Sequence, residues 1–304
     1  MDFEDIIKRA YQSIENLENK GQLASYIPEL AHVDPNKFGI HISTLDGYKY
    51  GLGDYTEKFS IQSIAKVLAL ALAYKRLGGE IWKRVGVEPS GTGYNSLIQL
   101  ENDHGIPRNP FINAGAIVIC DILLSLLDNP REDLLKFIHS VCSNEQIQYS
   151  PKIAASEKSV GYRNVSLCYF IKSFGNIEND PDEVLDFYFH LCSLEGSCQD
   201  LSNLFLFLAN GGKSIHTDKQ VILPLQAKRI NSIMQTCGFY DESGQFAFKV
   251  GLPGKSGVGG GIIALLPKEY VIATWSPKLN EKGNSYKGMK FLEAFTTLSE
   301  VSIF

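Results

Sequence analysis

Gly254-Lys255-Ser256-Gly257-Val258-Gly259-Gly260-Gly261-Ile262-Ile263-Ala264-Leu265-Leu266 takes a basic residue, a hydroxyl and five glycines into an apolar run. Residues 260–266 read as a buried strand, and the glycines leave bare backbone at its edge. Glycine lets a ligand come close to main-chain amides there. A plain glycine-rich turn is the competing reading of these residues taken alone. The run is not a dinucleotide fingerprint, because it precedes a strand and lacks G-x-x-x-x-G-K-[ST]. On either side, residues 246–250 and 270–276 read as two more strands. Residues 38–43 and 48–50 flank Asp46-Gly47, a hairpin signal.

Between these two groups of strands the pattern is helical. Residues 63–77 form a helix ended by Gly78-Gly79. The Gly/Pro/Asn-rich stretch 87–110 reads as loop. A helical zone then runs from 111 to about 233, with segments 111–127, 131–142, 151–158, 164–173, 181–193 and 197–210. Breaks fall at Asn129-Pro130, Asp180-Pro181 and Gly211-Gly212. Ile6, Ile7, Ala10, Tyr11, Ile14 and Leu17 mark a helix over 2–19, and 287–298 forms the last one. The expected architecture is α+β. Strands from both termini make one five-stranded antiparallel sheet flanked by helices, with an inserted all-helical domain. The expected division is 1–62 with 224–304 against 63–223, with the binding site in the cleft between them.

Composition excludes several classes of function. The 304 residues hold 29 Lys+Arg and 34 Asp+Glu, a net charge of −5, and no basic run. Nucleic acid and anionic membranes are therefore not expected partners. With 44% hydrophobic residues the chain is not disordered, and no repeat is visible. Residues 1–20 begin with acids, not the positive charge of a targeting signal. Cys120, Cys142, Cys168, Cys192, Cys198 and Cys237 form no CxxC pair and read as buried thiols of a cytoplasmic protein. The six histidines show no ligand spacing, so no metal and no cofactor are expected.

Ser63-Ile64-Ala65-Lys66 opens the apolar helix. Residues at i and i+3 share a face. A serine in a first helical turn sits where free N–H groups and the helix dipole favour a developing anion. A desolvated lysine can take its proton. Alone, Ser-x-x-Lys also fits an N-cap serine beside a solvated lysine. Paired with Lys255-Ser256-Gly257, it resembles the S-x-x-K and K-[ST]-G motifs of serine β-lactamases and penicillin-binding proteins, although no S-D-N triplet occurs.

Further blocks narrow the resemblance. Tyr26-Ile27-Pro28-Glu29-Leu30, Gln62-Ser63-Ile64-Ala65-Lys66 and Asn109-Pro110-Phe111-Ile112-Asn113-Ala114-Gly115-Ala116 come first. Glu157 with Gly161-Tyr162-Arg163-Asn164, Cys237-Gly238-Phe239-Tyr240-Asp241 and Gly254 to Gly261 follow. In this order they are similar to the serine-dependent glutaminase family in its compact bacterial form, within the β-lactamase-like fold superfamily. The chain length is expected to leave no room for ankyrin repeats or a mitochondrial leader.

The resemblance implies hydrolysis of L-glutamine to L-glutamate and ammonia. It assigns Ser63 as nucleophile and Lys66 as its partner. Backbone N–H groups of Ser63 and Val258 form the oxyanion hole, and Tyr26 and Tyr240 enter the site. Tyr240 is expected to be tuned down or to act as a relay toward the leaving ammonia. Lys66 either favours the phenolate by charge or stays neutral itself. Ser256 supports the Lys66 or Tyr240 network, unless it is a plain turn hydroxyl. Glu157 is assigned to the α-ammonium, and Asn113, Asn164, Tyr188 and Tyr26 to the amino-acid head group. Without the resemblance, Glu157 in its Ser-Glu-Lys-Ser run would read as solvated surface. A homodimer or homotetramer is expected by analogy. The alternatives are another serine acyl hydrolase, β-lactamase-like or esterase-like, and a non-catalytic amino-acid-binding protein on the same fold.

Overall fold

The Asp2 carboxylate accepts the Asp5 N–H at 3.1 Å, and Glu4 and Asp5 add negative charge to the first turn, where the helix dipole favours it. This starts α1 (Phe3–Glu15) in a computed structural model that describes residues 1–91 and 96–304. The hairpin β1 (Gly39–Thr44) and β2 (Lys49–Gly53) closes through Gly47 at φ +92°, a backbone region open to glycine at little cost. Next come β3 (Phe59–Ser60), a 3-10 turn at Gln62–Ile64, and α2 (Ala65–Leu77).

The inserted region holds α3 (Leu97–Asn102), α4 (Asn113–Leu126), α5 (Pro130–Cys142), β4 (Gln148–Tyr149), α6 (Pro151–Val160), α7 (Tyr162–Ser173) and α8 (Pro181–Cys192). It continues with β5 (Leu194–Gly196), α9 (Cys198–Leu204), α10 (Leu206–Ala209) and α11 (Pro224–Cys237). The chain closes with α12 (Ser243–Lys249), β6 (Gly254–Ser256), β7 (Gly261–Leu266), β8 (Tyr270–Trp275) and α13 (Tyr286–Ser299).

The five-stranded sheet runs β2-β1-β8-β7-β6, antiparallel throughout. The termini meet where β1 pairs with β8, from Gly39 opposite Trp275 to Thr44 opposite Tyr270. Alternate residues of β7 and β8 point to opposite faces and join different cores. Ile262, Ala264, Leu266, Tyr270 and Ile272 pack with Ile7, Ala10, Phe291 and Phe295 of the two terminal helices. Ile263, Leu265, Val271, Ala273 and Trp275 face the other way, into the core of the inserted helices. The terminal helices thus cover one face. α9 and α10 cover the second, so β1, β7 and β8 are buried along their whole length.

Three local expectations are corrected. Residues 246–249 belong to helix α12 and Val250 caps it, so 246–250 is not a strand, and the fifth strand is β6. Ser243, Phe246 and Val250 are buried while Phe248 is 88% exposed, the spacing of a helix face and not of a strand. The stretch 87–110, read as loop, contains α3; its residues 92–95 lie outside the described residues. A small sheet, β3-β5-β4, was not expected at all. Its strands span only two or three residues, too short to leave a period-2 pattern. All six cysteines are buried and unpaired. Among the described residues no single helix is long and apolar enough to cross a membrane.

Candidate active site

Ser63 is held at a strained turn between strand and helix. Ile61 N–H donates to Leu194 O at 2.8 Å, and Ser60 Oγ donates to Cys192 O at 3.3 Å. The two bonds tie the entry to the end of α8 and the start of β5. Gln62 takes φ +49°, unusual for a residue with a Cβ, and its Nε2 donates to Ser60 Oγ at 2.9 Å. Ser63 then sits in the 3-10 turn, with Lys66 one helical turn later in α2. The 65–74 segment of α2 is buried throughout.

The glycine run approaches this turn backbone to backbone. A Cβ on Gly257 would collide with Ile61 O, and one on Gly259 with Ser60 O. The Val258 N–H has no backbone acceptor among the described residues. Ser256 is fully buried, with its N–H donating to Gly238 O at 3.3 Å and its Oγ to the same oxygen at 3.4 Å. It therefore braces the segment two residues before Tyr240. Lys255 is buried as well. Its Nζ donates to Ser256 O at 2.6 Å and lies 4.3 Å from the Tyr240 ring centroid.

Lys66 lies behind the cavity wall. Its Nζ donates to Asn113 Oδ1 at 2.7 Å and to Phe111 O at 3.3 Å. It stands 5.9 Å and 6.0 Å from the ring centroids of Tyr188 and Tyr240. Burial lowers its amine to about 8, against the raising influence of Cys192 and Glu157. Asn113 begins α4, where Asn109 Oδ1 accepts the N–H groups of Phe111 and Ile112 at 3.0 and 3.1 Å. Asn113 Nδ2 donates to Asn164 Oδ1 at 2.9 Å, which joins α4 to α7.

A cavity of about 290 Å³ opens between these parts. Tyr26, Ser63, Asn113, Glu157, Asn164, Tyr188, Tyr240 and Val258 all line it. Of the expected site residues, only Lys66 and Ser256 are set behind the wall. Glu157 is 7% exposed, which overturns its reading as solvated surface, and its Oε1 is buried with no hydrogen-bond partner among the described residues. Burial pushes the carboxyl up to about 7, with Gln62 and Lys66 pulling it down. An unpaired buried acceptor of this kind is costly and suits a cationic ligand group.

Sequence reasoning missed Gln62, Arg163, Val160 and Cys192 as wall residues. Cys192 is four residues after Tyr188 on α8, so helical spacing was the signal available. Burial pushes its thiol up to about 12. Among the described residues no three His, Cys, Asp or Glu side chains converge to hold a metal ion.

The glutaminase family model matches residues 21–304. A glutaminase of Saccharophagus degradans is 59% identical over 304 residues, covering 100% of this chain and 99% of the relative. One of Christiangramia forsetii is 52% identical over 100% of both chains. Among solved structures, a Bacillus subtilis glutaminase in covalent complex with 5-oxo-L-norleucine is 31% identical, with TM-score 0.85, over 99% of this chain and 98% of that one. Its complex formed by reaction with 6-diazo-5-oxo-L-norleucine. Glutaminases of this group have the β-lactamase-like fold.

Proposed function

The chain belongs to the glutaminase family, and on that premise we propose that it hydrolyses L-glutamine to L-glutamate and ammonia through a Ser63 acyl-enzyme. The observation that carries the reading is the convergence of Ser63, Glu157, Tyr188 and Tyr240 on one cavity with Lys66 buried behind it. Residues 1–62 with 224–304 and residues 63–223 act as two halves, each supplying one side of the cavity. The glutamine α-ammonium pairs with Glu157. Asn113, Asn164, Tyr188 and Tyr26 take the head group.

Ser63 Oγ attacks the side-chain amide carbon as neutral Lys66 takes its proton, an exchange that the lowered amine favours. The negative oxygen of the tetrahedral intermediate is held by the Ser63 and Val258 N–H groups, the second of which has no backbone acceptor among the described residues. Tyr240 passes a proton to the departing nitrogen, ammonia leaves, and water cleaves the γ-glutamyl ester by the reverse proton path. The covalent complex of the Bacillus subtilis relative with a glutamine-like ketone supports a nucleophilic route. The reading also carries a cytoplasmic homodimer or homotetramer that uses no cofactor.

The test is glutamine-dependent ammonia release by the pure protein, with folded Ser63→Ala and Lys66→Ala as controls. Loss of activity by a factor of about 10³ or more is expected for each. Substantial turnover by folded Ser63→Ala would sink the acyl-enzyme, and faster turnover of p-nitrophenyl esters than of glutamine would sink the substrate.

A further inference from the structure

Tyr240 has φ +57°. A non-glycine residue there is strained and stays put only if its surroundings over-determine it. Within the turn, Ser243 Oγ donates to Tyr240 O and accepts the Phe239 N–H, each at 3.0 Å; outside the cavity, the loop between β8 and α13 holds the same turn. Glu242, two residues after Tyr240 in the same 3-10 turn, accepts Asn280 Nδ2 at 2.9 and 3.1 Å and Asn284 Nδ2 at 2.6 Å. Asp241 pairs with Lys282 of the same loop. The loop is stiff in itself. Asn280 Oδ1 accepts the N–H groups of Lys282 and Asn284, each at 3.0 Å, and Asn284 is fully buried.

The same loop grips the segment that carries Tyr26. Gln22 and Leu279 exchange backbone hydrogen bonds at 2.9 and 2.7 Å. Leu279 also shares a small apolar cluster with Ala24, Ile27 and Val258. One loop thus reaches three separate parts of the cavity wall.

We propose that residues 279–285 form a clamp that sets the Tyr240 turn against the Tyr26 segment and Val258, and that Glu242 is the positioning residue through which it holds Tyr240. The proposal rests on the role of Tyr240 given above. A carboxylate accepting two amide groups that belong to one rigid turn leaves the Tyr240 backbone little freedom, which is what a proton-transfer geometry requires.

The test compares wild type with Glu242→Ala, Glu242→Gln, Asn284→Ala and the Glu242→Ala/Asn284→Ala double variant. Wild-type turnover with its Ser63→Ala control is measured first and judges the functional reading by itself. Given that turnover, Glu242→Ala is expected to lower kcat about 10- to 100-fold with KM within threefold and a nearly unchanged melting temperature. Asn284→Ala should do the same, the double variant should add little, and Glu242→Gln should recover part of the loss. Folded Glu242→Ala with wild-type kcat would overturn the proposal, as would a loss seen only in melting temperature. A second measurement needs no activity. In protein labelled with 3-fluorotyrosine, the 19F resonance assigned by its absence in Tyr240→Phe should move or split in Glu242→Ala; an unchanged resonance also overturns the proposal.

Discussion

Lys66 and Asn113 face each other across 2.7 Å, the buried amine donating to the amide oxygen. Burial pulls the amine down to about 8, which favours the neutral form that the proposed mechanism requires as base. Asn113→Asp would replace a neutral acceptor with a carboxylate at the same distance. The negative charge favours the ammonium and raises the lysine pKa. Activity should then rise only at a pH at least about one unit higher than in wild type, with about a tenfold loss at pH 7. A pH–rate profile of kcat that does not move would reject Lys66 as the base.

Glu157, like Lys66, is expected to work in its deprotonated form, here for binding. Its carboxyl is raised to about 7 by burial, so in the empty site it loses its charge as pH falls through that value. KM for glutamine should therefore climb below pH 7 while kcat depends on Lys66. Glu157→Gln keeps the shape and removes the charge. It should raise KM by a factor of about 10² or more and abolish the low-pH rise in KM, because a buried ammonium would lose its partner. A KM for Glu157→Gln within a few-fold of wild type would contradict the assignment.

Gly257→Ala tests the backbone approach that brings Val258 to Ser63. The new Cβ would collide with Ile61 O, and relief requires the two segments to part. A displaced oxyanion donor costs about 10²–10³ in kcat. Gly244→Ala is the matched control, since a Cβ there meets nothing within 4 Å. It lies in helix α12 and should be neutral or stabilise by about 0.4–1 kcal/mol. Equal activity for the two variants would remove the close approach from the mechanism.

His41 makes the fold acid-sensitive. It is buried between the sheet and α9, its Nδ1 2.6 Å from Ser202 Oγ, and burial lowers its imidazole from 6.5 to about 4. The folded pKa lies below the unfolded one. Stability is therefore full above about pH 6.5 and falls as pH drops toward 4, by at most about 3 kcal/mol from this group. His41→Gln should flatten that part of a stability–pH curve measured by urea unfolding. An unchanged slope between pH 6.5 and 4 would show that other groups set it.

The places where sequence reading succeeded and failed share one cause. Asp46-Gly47 and the Gly78 helix end are local signals, because a positive φ at Gly47 and Gly78 is decided within a few residues. The Ser63 to Lys66 spacing is local too, being set by the helix period. Phe246 to Val250 misled because aromatic and branched residues favour strands on average. Burial on one helix face, with Phe248 left in solvent, made 246–249 the end of α12 instead. Gly254–Ser256 showed little strand character by itself and becomes β6 by pairing with Ile262, Ile263 and Ala264.

By itself the sequence determined the main run of helices between two groups of strands, the meeting of those terminal strand groups and the blocks that carry the family likeness. Each of these is written in short-range periodicity and in residue types whose chemistry travels with them. Tertiary structure decided which side chains share a cavity. Tyr26, Ser63, Glu157, Tyr188 and Tyr240 come from distant parts of the chain and meet only once the helices pack. It also decided their chemistry: a solvated-looking Glu157 becomes a buried carboxyl near 7, and Lys66 an amine near 8. Desolvation depends on every atom that excludes water from a group, and those atoms are set by the packed fold as a whole.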